Sequence, residues 1–237
     1  MNLLSANYSG KPGQPKINQE LKRLKAKTWF TVVAEISGKS AYELEKEFCG
    51  PKLLRGDFNK SRPRLWEKYK SGKAIPRFNI TYDEKIPIAI LVEKKYPNTI
   101  KWLNGPLWDL ANIYHELTMT DIRKIYATLP HEIKFHLMLE DDEQDRHFWR
   151  KRDNNLKTFY KSLASSKSPI AFITLLCLYR EFLICQDKSN FEFILKLLVE
   201  IKKSESDHEP IPSRKIAELI VIACFPFFPL NANGLCV

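Results

Sequence analysis

Apolar side chains recur at three- and four-residue steps along most of the chain, the spacing that lines one face of a helix. From near Asn18, Leu21, Leu24, Trp29, Val32, Val33 and Ile36 keep this rhythm, Lys22, Arg23, Lys25 and Lys27 occupy the remaining surface, and Gly38 supplies a stop. Ser40 reads as the N-cap of a second helix over 41–49, because Glu43 stands three residues on and completes a capping box. Tyr42, Leu44 and Phe48 are the apolar positions of that helix. Residues 50–61 (GPKLLRGDFNKS) read as a loop. Ser61 then caps a third, short helix with Pro63 in its first turn, where a missing N–H costs nothing. Leu65, Trp66 and Tyr69 form its apolar side, Gly72 its left-handed closing residue, and Pro76 prevents continuation. A fourth helix is predicted over 83–96 through Ile86, Ile88, Ile90, Leu91 and Tyr96.

Pro97 and the Asn104-Gly105-Pro106 break mark a boundary. The expected organisation is a flexible arm over 1–16, rich in Gly, Pro, Ser and Asn, a helical region over 17–104, and a second helical region over 105–237. In the second region, a short helix is predicted over Leu107–Leu117, Thr118 and Asp121 offer a cap for the next, and Pro130 sits in the first turn of another. Ser168-Pro169 starts a nearly all-apolar helix over 169–186, Ser189 precedes one over 190–203, SESDHEPIP is a loop, and a last helix runs from Ser213 to Phe225. Strict alternation and hairpin turns between strand-like runs are lacking, and no repeat of 20–50 residues is evident. The fold class expected is all-α: a multi-helix bundle with a basic N-terminal helical region followed by a neutral, apolar-rich helical C-terminal region.

Composition adds that 44% hydrophobic and 12% aromatic residues can fill a core, which excludes global disorder. Charge changes the picture more. The chain carries 38 Lys and Arg against 28 Asp and Glu, a net of +10. Residues 1–104 hold 21 basic and 10 acidic side chains, net +11, and residues 105–237 hold 17 and 18, net −1. Within 51–77, nine basic residues face two acidic ones. A polyanionic partner is one physical reason for such a partition; solubility, or a basic flank beside an acidic partner domain, is the alternative.

Residues 40–76 resemble the helix-turn-helix of phage-repressor (Xre-type) regulators, through Tyr42-Glu43-Leu44 in the second helix and Trp66-Glu67-Lys68-Tyr69-Lys70-Ser71-Gly72-Lys73-Ala74-Ile75-Pro76 at the third helix and its closing turn. The turn, Gly50 to Lys60, is several residues longer than that family's. The resemblance implies DNA binding and transcriptional regulation. Lys52, Arg55, Lys60, Lys70 and Lys73 are expected to neutralise phosphates, and Arg62, Arg64 and Lys68 to be presented by the third helix, Arg64 and Lys68 sharing a face four residues apart. The expected partner is therefore nucleic acid, DNA first, with a homodimer or protein partner through the apolar C-terminal helices. The alternative is a non-enzymatic helical adaptor whose basic half meets an acidic protein.

Other chemistry finds little support. His131 and His136 are five residues apart, about 140° around a helix, so one helix cannot aim both at the same zinc ion as His-Glu-x-x-His does. The acidic run Glu140-Asp141-Asp142-Glu143-Gln144-Asp145 lacks the glycine and spacing of a calcium loop. No nucleophile elbow, P-loop or dinucleotide fingerprint occurs, so neither an enzyme nor a cofactor or metal is expected. The five cysteines form no Cys-x-x-Cys pair, and Cys177, Cys185 and Cys224 lie in apolar runs as inert core thiols. No charged and apolar leader opens the sequence and no run reaches the length of a membrane span, so the expected setting is cytoplasmic, without a membrane.

Overall fold

The structure is a computed structural model that describes residues 14–49, 64–79, 86–138 and 155–224. The regular elements of the described residues are all α-helices, with an isolated bridge at His208–Ile211 and no strand. The all-α class expected from the periodicity is what the chain adopts. The chain divides into two compact units, Pro15–Trp108 and, after it, Asp109 onward.

The N-terminal unit is built on α1 (Gln14–Ser37), which begins four residues earlier than the apolar rhythm indicated. The reason is Pro15, whose fixed φ suits the first helical turn even though no apolar residue marks it. Gly38, at φ +66°, ends the helix as predicted. The next helix, α2 (Ala41–Cys49), starts on the expected capping box: Ser40 N–H donates to Glu43 Oε2 (2.8 Å) and Glu43 N–H to Ser40 Oγ (3.3 Å). After it come α3 (Leu65–Lys70), α4 (Ile88–Lys95) and α5 (Lys101–Asn104). The fourth helix starts later than predicted because Pro87 stands at its N-cap and holds Ile86 out of helical geometry.

Trp66 is the centre of this unit. It is fully buried and stacks between Trp29 of α1 (centroids 5.5 Å, 24°) and Phe48 of α2 (5.6 Å, 28°), with Tyr69 edge-on at 5.8 Å. Phe30, Val33, Leu44, Val92 and Leu103 complete the core, so each of the five helices contributes to it. Aromatic pairs at these separations add about 0.5–1.5 kcal/mol each beyond the area they bury. Polar ties reinforce the edges. Glu93 accepts N–H bonds from Asn98, Thr99 and Ile100 (2.8 Å each), which caps the turn leading into α5. Burial disfavours its charge, but those bonds, that of Ile100 foremost, hold the carboxyl below the usual carboxylate range.

The C-terminal unit follows α6 (Leu107–Ala111), within which the division falls. The helix is shorter than expected. Beyond it, Asn112 turns the chain through its side chain, whose Oδ1 accepts the Tyr114 N–H (3.2 Å). The unit contains α7 (Met119–Ala127), α8 (His131–Leu137), α9 (Leu156–Ser165), α10 (Pro169–Ile184), α11 (Lys188–Lys203) and α12 (Ser213–Cys224). The Thr118–Asp121 box caps α7 as predicted, and Pro169 opens α10. Asp187, not Ser189, caps α11, its Oδ1 accepting the Asn190 N–H at 3.1 Å. The amphipathic helix α9 had no counterpart in the predicted elements. α10 is buried on nearly all sides and packs against α7, α9 and α11, while α12 packs on α11. The apolar density of these helices is therefore used inside the unit. Where α10 must bury charge it is paired: Arg180 donates to the Asn112 carbonyl (3.0 Å) and to that of His115, and Glu181 accepts from the Tyr126 hydroxyl (2.6 Å).

Candidate functional site

The site begins with α3, six residues long and far below the length at which a helix is stable alone. Three fastenings hold it. Trp66 and Tyr69 bury its inner side, as their spacing predicted. The buried Glu45 of α2 accepts the Leu65 N–H through Oε1 (2.9 Å), capping the helix start from another element. At the far end, Gly72 N–H donates to the Tyr69 carbonyl (2.9 Å) and Lys73 N–H to that of Lys68 (2.8 Å), the two bonds of a Schellman close around Gly72 at φ +71°.

This fixed inner side determines what faces outward. Lys68 and Lys70 on α3, Lys73 in the closing turn, Arg64 before the helix and Arg77 after the turn are all exposed. Ser71 Oγ donates to the Lys68 carbonyl (3.2 Å), tightening the last turn. Among the residues expected to bind nucleic acid, Arg64, Lys68, Lys70 and Lys73 thus share one fastened segment. Lys52, Arg55, Lys60 and Arg62 lie outside the described residues, as do Ser61 and Pro63.

One placement needs correcting. Arg64 is not on the third helix. It occupies the N-cap position in left-handed geometry (φ 48°, ψ 39°), and the helix starts one residue later, where Glu45 meets Leu65 N–H. Arg64 and Lys68 therefore do not share a helical face, because only Lys68 has a helical backbone. The cap on Leu65 is supplied from twenty residues upstream, and no local pattern announces it.

A second element also enters the site. The closing turn presses on α1 so tightly that a Cβ on Gly72 would lie 2.7 Å from the Arg23 carbonyl oxygen. Lys25 of the same helix holds its ammonium 5.5 Å from the Phe78 ring centroid. The glycine was legible as a turn residue; its contact 49 residues upstream was not.

The chain matches no family model, no curated protein and no solved structure.

His131 stacks on Phe135 and His136 on Phe159 (centroids 6.5 and 4.7 Å), with Phe135 also edge-on to His136 at 5.7 Å, so both imidazoles pack among aromatic rings. Ser213 Oγ lies 2.7 Å from His208 Nδ1, a nucleophile-and-base pairing by residue type, but Ser213 is fully buried and its oxygen also accepts the His208 N–H (3.0 Å). No substrate reaches that oxygen. Burial pushes the His208 imidazole below its ordinary pKa, against the Ser166 carbonyl and Asp207, which favour its charge. Cys177 and Cys224 are buried, as expected. Cys185 is exposed, because α10 ends at Ile184 and the thiol falls on the solvent side of the C-cap. The acidic run at 140–145 lies outside the described residues. No helix among the described residues is long and apolar enough to cross a membrane.

Proposed function

We propose that the N-terminal unit binds nucleic acid, duplex DNA in the first instance, and that the protein is a non-enzymatic, cytoplasmic DNA-binding regulator. The observation that carries this reading is the two-sided character of residues 64–77. The inner side chains, Trp66 and Tyr69, are fixed in an aromatic core, and the outer ones, Arg64, Lys68, Lys70, Lys73 and Arg77, are exposed cations on a rigid mount. The segment belongs to the half of the chain with net charge +11. Rigid mounting matters because a cation that is already positioned loses less side-chain freedom when it meets a phosphate.

In this mechanism Lys68, Lys70 and Lys73 neutralise phosphates, Arg64 flanks them, and Lys52, Arg55, Lys60 and Arg62 add charge from the preceding segment. With Lys68 and Lys70 as the outward cations of a six-residue helix, backbone contact supplies most of the affinity and base reading little.

The test replaces Lys68, Lys70 and Lys73 together by Ala. All three are exposed, so the fold should survive, and binding to a labelled DNA duplex at low salt should weaken about tenfold or more. Unchanged binding by the variant would remove the reading. A protein that purifies at low salt free of 260 nm absorbance and in company with an acidic protein would favour the adaptor alternative instead.

A further inference from the structure

α1 is the most enclosed helix of the N-terminal unit. Leu21, Leu24, Ala26, Thr28, Trp29, Phe30, Val32 and Val33 bury most of its circumference. Along its first half Lys16, Arg23 and Lys27 stay in solvent as a stripe on one side, and Lys22 is exposed on another. At about 100° per residue the three lie within roughly 40° of each other, and the eleven steps from Lys16 to Lys27 span about 16 Å. Glu20 is the acid of this stripe, and it holds Arg23 at 3.3 Å.

The stripe is not remote from the cations of the closing turn. Gly72 stands against the Arg23 backbone, its would-be Cβ 2.7 Å from the Arg23 oxygen and 3.1 Å from the Arg23 Cα. Lys73 is the next residue, and Lys70 is two residues before Gly72. The contact therefore joins two exposed basic segments that lie 49 residues apart in sequence, and the joint is backbone against backbone, which cannot drift as a side-chain contact can.

We propose that the α1 ridge of Lys16, Arg23 and Lys27 is the second half of the nucleic-acid surface, continuous with Lys70 and Lys73, and that it contacts the phosphate backbone of duplex DNA. This rests on the nucleic-acid reading of the N-terminal unit and extends it to a helix that the sequence pattern assigned no role. The ligand chemistry follows from the side chains. Trp29, Trp66 and Tyr69 are buried in the core and no side chain of the ridge is aromatic, so the ridge offers charge and hydrogen bonds to phosphates.

The test compares the wild type with four variants in fluorescence anisotropy with a labelled DNA duplex over a salt series, each checked by circular dichroism for unchanged helicity. The ridge variant is Lys16→Ala, Arg23→Ala, Lys27→Ala. The control removes equal charge from exposed lysines of the other unit, Lys161→Ala, Lys202→Ala, Lys203→Ala. The ridge variant should bind at least about tenfold more weakly at low salt, with the magnitude of the log K against log salt slope reduced by about two to three, while the control follows the wild type. Glu20→Gln, which frees Arg23, should bind a few-fold more tightly. If ridge and control variants lose affinity equally, net charge and not a surface is responsible, and the inference fails. If the ridge variant binds as the wild type does while Lys68→Ala, Lys70→Ala, Lys73→Ala does not, the inference fails and the reading of the closing turn stands. A wild type that binds no duplex overturns both.

Discussion

Gly72 shows how one residue can serve fold and surface together. Its φ of +71° is costly for any residue with a Cβ, and the Cβ would also meet the Arg23 carbonyl at 2.7 Å, where backbone cannot yield. Gly38 has nearly the same φ, +66°, but nothing within 4 Å of the added atom. The two glycines therefore separate strain from contact. Gly38→Ala should cost about 1 kcal/mol, the conformational penalty alone. Gly72→Ala should cost at least about 2 kcal/mol and lower the melting temperature by several degrees more than Gly38→Ala. It should also weaken DNA binding, since the turn that carries Lys73 must lift away from α1. Thermal unfolding of both variants checks the order; equal losses would mean that the approach to Arg23 has no energetic weight.

At the scale of elements, α3 exists because other helices make it exist. Its boundary carries a prediction that sets geometry against charge. Replacing Glu45 by Ala removes the acceptor of the Leu65 N–H, with an expected loss of about 1–3 kcal/mol for a buried charged partner. The substitution also makes the protein more basic. If the mounting of α3 matters, Glu45→Ala should bind DNA more weakly in spite of the added net charge; tighter binding would show that charge alone decides. The same element marks the limit of what the sequence reveals. Local signals were legible: the Ser40–Glu43 and Thr118–Asp121 boxes, Gly38 and Gly72 at left-handed positions, Pro169 at a helix start, and the inward turn of Trp66 and Tyr69. Each rests on residues within one or two turns of one another. The cap on Leu65 and the Gly72–Arg23 contact were not legible, because each depends on which elements meet in space; the ridge of Lys16, Arg23 and Lys27 is a spacing within one helix, and only its nearness to Lys70 and Lys73 needed the structure. The placement of Arg64 on the third helix was misread for the same reason. Helix α9 was legible in part, since Asp153-Asn154-Asn155 before Leu156 is a start signal of the usual kind, although Asn155 makes no side-chain capping bond.

Across the whole molecule, charge and apolar surface are sorted into different units. The C-terminal unit, near neutral, spends its apolar side chains on the enclosure of α10 and balances its buried charges with Asn112, His115 and Tyr126. The N-terminal unit spends its aromatics on fixing short helices and leaves its cations in solvent. The account therefore makes the interaction with DNA an ion-exchange process, in which each phosphate contact releases a counterion. The most direct measurement is the salt dependence of wild-type binding to a labelled DNA duplex. The account predicts a linear fall of log K with log salt at a slope of about −4 to −6, as expected for five to seven phosphate contacts at about −0.9 each. Duplex binding that is absent at low salt, or that does not respond to salt, would contradict it.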